Sequence, residues 1–270
     1  MAEQEPVVGL LEEEWSSIIE LCGDLAPDEW ARPTRCPGWT VQDQVAHLLS
    51  GERMLMGDEA PDIDVEGVDH IRNPFGAVNE QWVEHYRGHS GADVLEEFRT
   101  ITAERLEVLG SLPEEKWAEM GFTPEGDAPY RQFMAIRSFD AWMHEQDIRD
   151  ALGRPGHQSG PVVEAALDRL VRALGYVVGK KAGAPDGSSV VFEITGEAPR
   201  TVPVVVDGRA EVVGEVPPAP TVTLTLDQQA FVALCGGRED PEDVLGAGRV
   251  SIDGDGALGD DVVRNMAFMV

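Results

Sequence analysis

The chain has 270 residues, 42% of them hydrophobic, which exceeds the comfortable size of one core; at roughly 100 to 200 residues per domain the expectation is two. Its 21 Lys and Arg against 50 Asp and Glu give a net charge of −29, a field that repels phosphate backbones and anionic headgroups and disfavours nucleic acid or a membrane surface as partner. The acidic start MAEQEPVVGLLEEEW lacks the basic-then-apolar order of a secretory signal, no apolar run approaches the ~20 residues that span a bilayer, and three scattered cysteines, Cys22, Cys36 and Cys235, suit a reducing cytoplasm better than a disulfide framework.

Val7, Leu10, Leu11, Trp15, Ile18, Ile19 and Leu21 recur at helical spacing and predict a first helix over 6–24, with Glu12 to Glu14 on its polar face. The proline-containing loop APDEWARPTRCPGW then leads to Thr40, whose hydroxyl can cap a second helix, VQDQVAHLLSGERMLM, with Asp43 completing a variant of the capping box. Residues 57–74 are acidic and broken by Gly and Pro, so they read as a surface excursion. Helical character resumes at NEQWVEHYRGH, divides near 90–93 into a short helix and a long one, and returns after PEEKW and the loop GFTPEGDAP as a long helix from Tyr130 to Leu152, closed by Gly153 and Pro155.

Residues 1–156 therefore read as an antiparallel helical bundle. One more helix is expected from Pro161 to Lys181, after which the period changes from helical to alternating. SVVFEIT, TVPVVVD, AEVVG and TVTLTLD carry the Val and Thr enrichment of strands; DQQAFVALCGG reads as helix, RVSIDGD as strand and GALGDDVVRNMAFMV as a terminal helix. Residues 157–270 make a separate α+β domain, and the whole a two-domain α+β chain.

The candidate chemistry lies in RSFDAWMHEQDIRDALG, residues 137–153. At ~100° per residue Asp140 and His144 stand ~40° apart, on the stripe shared by Phe133, Ile136, Met143 and Ala151, with Asp147 on the same side. A carboxylate facing an apolar interior needs a hydrogen bond, a counter-charge or a metal. A core Asp to His hydrogen bond satisfies that need without metal. His47, flanked by Val45, Leu48 and Leu49 in the second helix, shifts the balance: bundle packing can bring it opposite Asp140 and His144 as a two-His, one-carboxylate set with positions left for water or substrate. His70, His85, His89 and His157 are expected on the surface, and Arg137 and Arg149 in ion pairs with Asp147 or Asp150. No GxGxxG, Walker or Ser-His-Asp signature stands out, and IDGDG near the C-terminus is assigned to a turn.

PTRCPGWTVQDQVAHLLSGE at 33–52 and FDAWMHEQDIRDALGRPG at 139–156 resemble the actinobacterial mycothiol-dependent maleylpyruvate isomerase family, a branch of the DinB/YfiT-like metal-binding bundles. TVTLTLDQQAFVALCGGRED with GRVSIDGD is similar to the sterol-carrier-protein-like domain often joined to that bundle. The resemblance implies an up-down four-helix bundle holding a divalent metal, commonly zinc, by His47, an acid and His144. The family's acid is a glutamate and the matching position here is Asp140, with Asp147 or Glu145 as substitutes. It further implies mycothiol as thiol cofactor, a small electrophilic substrate to be isomerised or conjugated, and an arginine of the second domain meeting that substrate, for which Arg238 and Arg249 are the candidates. The alternative is a non-catalytic small-molecule or lipid carrier with a vestigial or structural metal site.

Overall fold

The computed structural model describes residues 5–269, and the chain divides into two compact units, the first ending at His157 and the second beginning at Gln158. In the first unit α1 (Pro6–Cys22), the single turn α2 (Pro27–Trp30), α3 (Val41–Leu55), α4 (Pro74–Tyr86), α5 (Gly91–Ser111) and the single turn α6 (Glu114–Trp117) precede a hairpin, β1 (Met120–Thr123) and β2 (Gly126–Pro129). The hairpin runs directly into α7 (Tyr130–Leu152). Helices α1, α3, α5 and α7 close a ring, each against two of the others, and α4 packs on α3.

The ends of these helices follow from local chemistry. Thr40 accepts from the Asp43 backbone N–H, and the Asp43 carboxylate accepts from the Thr40 backbone N–H at 2.8 Å, so two otherwise unpaired donors are satisfied and the start of α3 is fixed. Asn73 and Ser90 cap α4 and α5, and Gly153 closes α7 at φ 66°, where a left-handed residue is needed. Leu11, Trp15 and Ile18 of α1, Leu48 and Leu49 of α3, Phe98 and Leu109 of α5, and Met134 and Ile148 of α7 share one core; burying a side chain of this size contributes about 1.5–3 kcal/mol. Residues 141–145 of α7 are all buried, which a single apolar stripe cannot do. α1 and α3 cover different sides of this helix, so its polar residues are enclosed on both.

In the second unit α8 (Pro161–Arg172), the single turn α9 (Leu174–Tyr176) and a π-helical turn over Val177–Lys181 stand where one continuous helix was expected. Close approach of the sheet accounts for the break: a Cβ on Gly175 would lie 2.8 Å from the Ala210 carbonyl oxygen, and one on Gly179 2.7 Å from the Ala210 Cβ. The strands are β3 (Ser189–Thr195), β4 (Arg200–Asp207), β5 (Arg209–Val212), β6 (Val222–Asp227) and β7 (Val250–Gly254), in the order β5-β4-β3-β6-β7. β3 runs parallel to β6 and the other neighbours are antiparallel. α10 (Gln228–Cys235) and α12 (Gly256–Arg264) follow β6 and β7, with α11 (Pro241–Gly246) between them.

Three expectations need correction. The loop GFTPEGDAP contributes most of the β1–β2 hairpin, whose short strands leave Met120 and Phe122 61% and 63% exposed and so lack alternating burial. α4 starts at Pro74, inside the stretch read as irregular, because Asn73 caps it ahead of any apolar stripe. α11 is too short to show a period, and the final helix ends at Arg264; Val270 lies outside the described residues. Among those residues no helix is long and apolar enough to cross a membrane.

Candidate metal centre

His47 sits two turns into α3, and α7 delivers Arg137, Asp140, His144 and Asp147 one turn apart along one side. The structure brings His47, Asp140 and His144 together: His47 Nε2 lies 3.3 Å from Asp140 Oδ2, and His144 Nε2 lies 3.4 Å from Asp140 Oδ1. Each residue offers one atom of a set within 4.8 Å of one another. Both imidazoles are about nine-tenths buried, while the Asp140 side chain is 30% exposed and marks the open side. Trp39, from the loop before α3, sets its ring centroid 5.2 Å from that of His47 and 6.0 Å from that of His144. Its indole N–H donates to buried Glu80 of α4 at 2.8 Å, which holds this wall from behind.

The hydrogen-bond polarity around His144 can be traced to its end. The Thr34 hydroxyl donates to the Trp39 carbonyl at 3.0 Å and accepts from the Gln44 amide nitrogen at 2.6 Å and from the Cys36 backbone N–H at 3.3 Å, which fills its valences. Gln44 must then turn its amide oxygen to His144 Nδ1, and His144 must carry a proton there. The free lone pair of a neutral ring at Nε2 consequently faces a carboxylate. Two electron pairs at 3.4 Å repel unless a cation stands between them, either a second proton on the ring or a metal ion. Bonds of ~2.0–2.1 Å to nitrogen and oxygen in a tetrahedral shell put ligand atoms ~3.3 Å apart, so both observed separations fit a borderline divalent cation such as zinc.

Without that cation the three groups polarise one another. Burial disfavours the His144 imidazolium, but Asp140 outweighs it and raises the ring to about 10. Burial also raises the Asp140 carboxyl, but His144 and His47 hold it well below the usual carboxylate range, while burial keeps His47 low. Arg137 donates to Asp140 Oδ2 at 2.7 Å and to Glu52 Oε1 at 3.1 Å, and Arg105 of α5 donates to Glu52 Oε2 at 2.9 Å. One buried carboxylate thus ties two guanidiniums to the centre.

The remaining expected positions divide. Asp147 lies 3.8 Å from His144 Nδ1 and accepts from Cys36 Sγ at 3.3 Å, and Cys36, His144 and Asp147 form a neighbouring group whose ligand atoms also lie within 4.8 Å of one another. Glu145 points to the α1 side, where Arg149 and His157 bind it, which leaves it unsuited to replace Asp140. Arg137 pairs with Asp140 and Glu52, Arg149 with Glu145, and Asp150 with Arg35. His85 and His89 are exposed as expected, but His70 pairs with Glu80, and His157, expected on the surface, has a side chain only 8% exposed because it folds back onto Glu145. Arg238 and Arg249 lie in the second unit. Arg238 donates to the Gly236 carbonyl at 3.1 Å, and Arg249 pairs with Glu239 at 2.6 Å and stands 3.7 Å from Asp227. The sequence reading missed Gln44, Thr34, Trp39 and Glu52; Gln44, three residues before His47 on the same helix face, carried a usable signal.

Two family models match the chain, the N-terminal domain of mycothiol maleylpyruvate isomerase over residues 11–149 and the C-terminal domain of that family over 164–260. Uncharacterized proteins from two strains of Mycobacterium tuberculosis are 31% identical over 163 residues, 58% of this chain and 62% of the relative, so the match spans less than two thirds of those proteins. A crystal structure of the mycothiol-dependent maleylpyruvate isomerase aligns over 92% of both chains with a TM-score of 0.59 and 16% identity, which shows a shared fold. The sterol carrier protein 2 like 2 of Aedes aegypti overlaps 37% of this chain and 96% of its own at a TM-score of 0.31 and 17% identity, a likeness that says nothing of a ligand. The paired domain matches, set on a four-helix bundle followed by a mixed sheet, establish that the chain belongs to the mycothiol-dependent maleylpyruvate isomerase family.

Proposed function

We propose that this chain is a metal-dependent enzyme that uses the thiol of mycothiol to isomerise or conjugate a small electrophile, with the metal, zinc by its donor set, held by His47, Asp140 and His144. The observation that carries this reading is the convergence of two buried imidazoles on one partly open carboxylate, with the proton of His144 directed away from it. A divalent metal so held supplies Lewis acidity that lets a thiol ligate in its deprotonated form near neutral pH. His47, Asp140 and His144 would hold the metal through one ligand atom each.

The chain's own residues do the rest. Gln44 fixes the His144 tautomer, Arg137 anchors Asp140 through one oxygen, and Trp39 screens the two rings from water on one side. Arg238 and Arg249 remain the proposed contacts for an acidic substrate; Arg249 would exchange Glu239 for that anion, since both compete for the same guanidinium. The test is metal analysis of untagged protein, followed by mycothiol consumption against a panel of electrophiles that includes maleylpyruvate, with and without chelator. The expected outcome is one equivalent of metal lost in His144→Ala and turnover abolished by chelator. Full turnover in metal-free protein would overturn the proposal.

A further inference from the structure

A second group of titratable side chains lies on the α1 side of α7 and shares no residue with the centre above. Glu14 of α1, Glu145 of α7 and His157, five residues after α7 ends, each offer a ligand atom, and these atoms lie within 4.8 Å of one another. Both carboxylates are fully buried and the His157 side chain is 8% exposed. The donors present serve one acid only. Ser17 Oγ at 2.5 Å and Arg149 Nε at 2.8 Å donate to Glu145 Oε1, and His157 Nδ1 contacts Oε2 at 2.6 Å. Glu14 receives none: neither of its oxygens has a hydrogen-bond partner among the described residues, and His157 Nδ1 stands 3.5 Å from its Oε2.

The two buried carboxyls face the Arg149 guanidinium and the His157 ring, both of which lie closer to Glu145 than to Glu14, and Glu13 stands 3.4 Å from His157 Nε2 on the solvent side. Burial and the neighbouring Glu145 push the Glu14 carboxyl well above the usual carboxylate range, so its oxygens need either a proton or a cation beside them. His157 is the one non-glycine residue with positive φ among those described, at 51°, a conformation that costs on the order of 1 kcal/mol. It is kept there by the Trp142 indole N–H donating to its carbonyl at 3.2 Å and by its ring on Glu145.

We propose that Glu14, Glu145 and His157 form a second divalent-cation site, of the imidazole and carboxylate class that takes zinc or manganese, fastening α1 and the segment after α7 to α7 itself. The site is independent of the His47 centre. Titration calorimetry of the metal-free full-length chain with Zn²⁺ and with Mn²⁺ tests it. The expected result is two equivalents of Zn²⁺ in the wild type, one in His144→Ala, one in Glu14→Gln and none in the double variant, with metal raising the thermal midpoint of His144→Ala. Glu14→Gln serves if His144→Ala does not fold. A wild type that binds one equivalent, unchanged by Glu14→Gln, would overturn the proposal and assign a proton shared between Glu14 and Glu145 instead. A wild type that binds none removes both this site and the His47 centre, whereas loss of the His47 equivalent alone leaves this one standing.

Discussion

Replacing Gln44 by leucine removes the acceptor that fixes the proton on His144 Nδ1 while keeping about the same volume. Metal affinity, read by competition with a chromophoric chelator, is expected to fall about 10- to 100-fold, and Gln44→Glu, which still accepts that proton, should retain it. Equal loss in both variants would mean that Gln44 acts only by packing. The protein's own thiols give a second expectation. Burial pushes Cys22 up to about 12 and raises Cys235 as well, so both should stay unmodified by a disulfide reagent at neutral pH until the chain is unfolded. At this scale the convergence of His47, Asp140 and His144 was legible because a histidine and an acid at i, i+4 in an apolar stripe have few ways to be satisfied. The orienting groups were not, since Thr34 and Trp39 come from a loop whose path no periodicity encodes.

α7 was read to its last residue because Pro129 and Gly153 bracket it, and α3 nearly so because Thr40 and Asp43 name its start. The β1–β2 hairpin was missed for the opposite reason, its strands being short and exposed on their apolar residues. Helix pairing is harder to read still. Gly51 lies one turn after His47, and a Cβ there would overlap the Arg137 guanidinium, so the absence of a side chain on α3 is what admits the arginine of α7. Gly51→Ala is expected to cost about 1–3 kcal/mol in urea unfolding and to weaken metal binding by shifting Arg137 off Asp140. Loss of stability with metal affinity intact would separate the two effects and show that Arg137 does not brace the ligand.

For the whole chain, a net charge of −29 repels itself most in dilute buffer. Shortening the screening length from ~30 Å at 0.01 M salt to ~8 Å at 0.15 M should raise the midpoint of thermal unfolding, with ~1 kcal/mol appearing as roughly 2–4 °C in a chain of this size. A midpoint that falls with added salt would mean that surface ion pairs outweigh the repulsion. The change from helical to alternating period near residue 185 announced two architectures, and the mixed sheet followed from strands whose alternation was visible in Val222, Leu224 and Leu226. The parallel pairing of β3 with β6 was not visible, because it depends on which strands meet rather than on any one of them. The forked contact at Glu52 bears on how such a chain can drift over generations. Each of its oxygens holds a different arginine, so losing the acid leaves Arg105 without its carboxylate and Arg137 with Asp140, and losing either arginine removes the donor to one oxygen. Changes at Glu52, Arg105 and Arg137 should therefore be non-additive, and a lengthening of Asp140 by one methylene, which displaces the oxygen that Arg137 holds, should be felt at the other three.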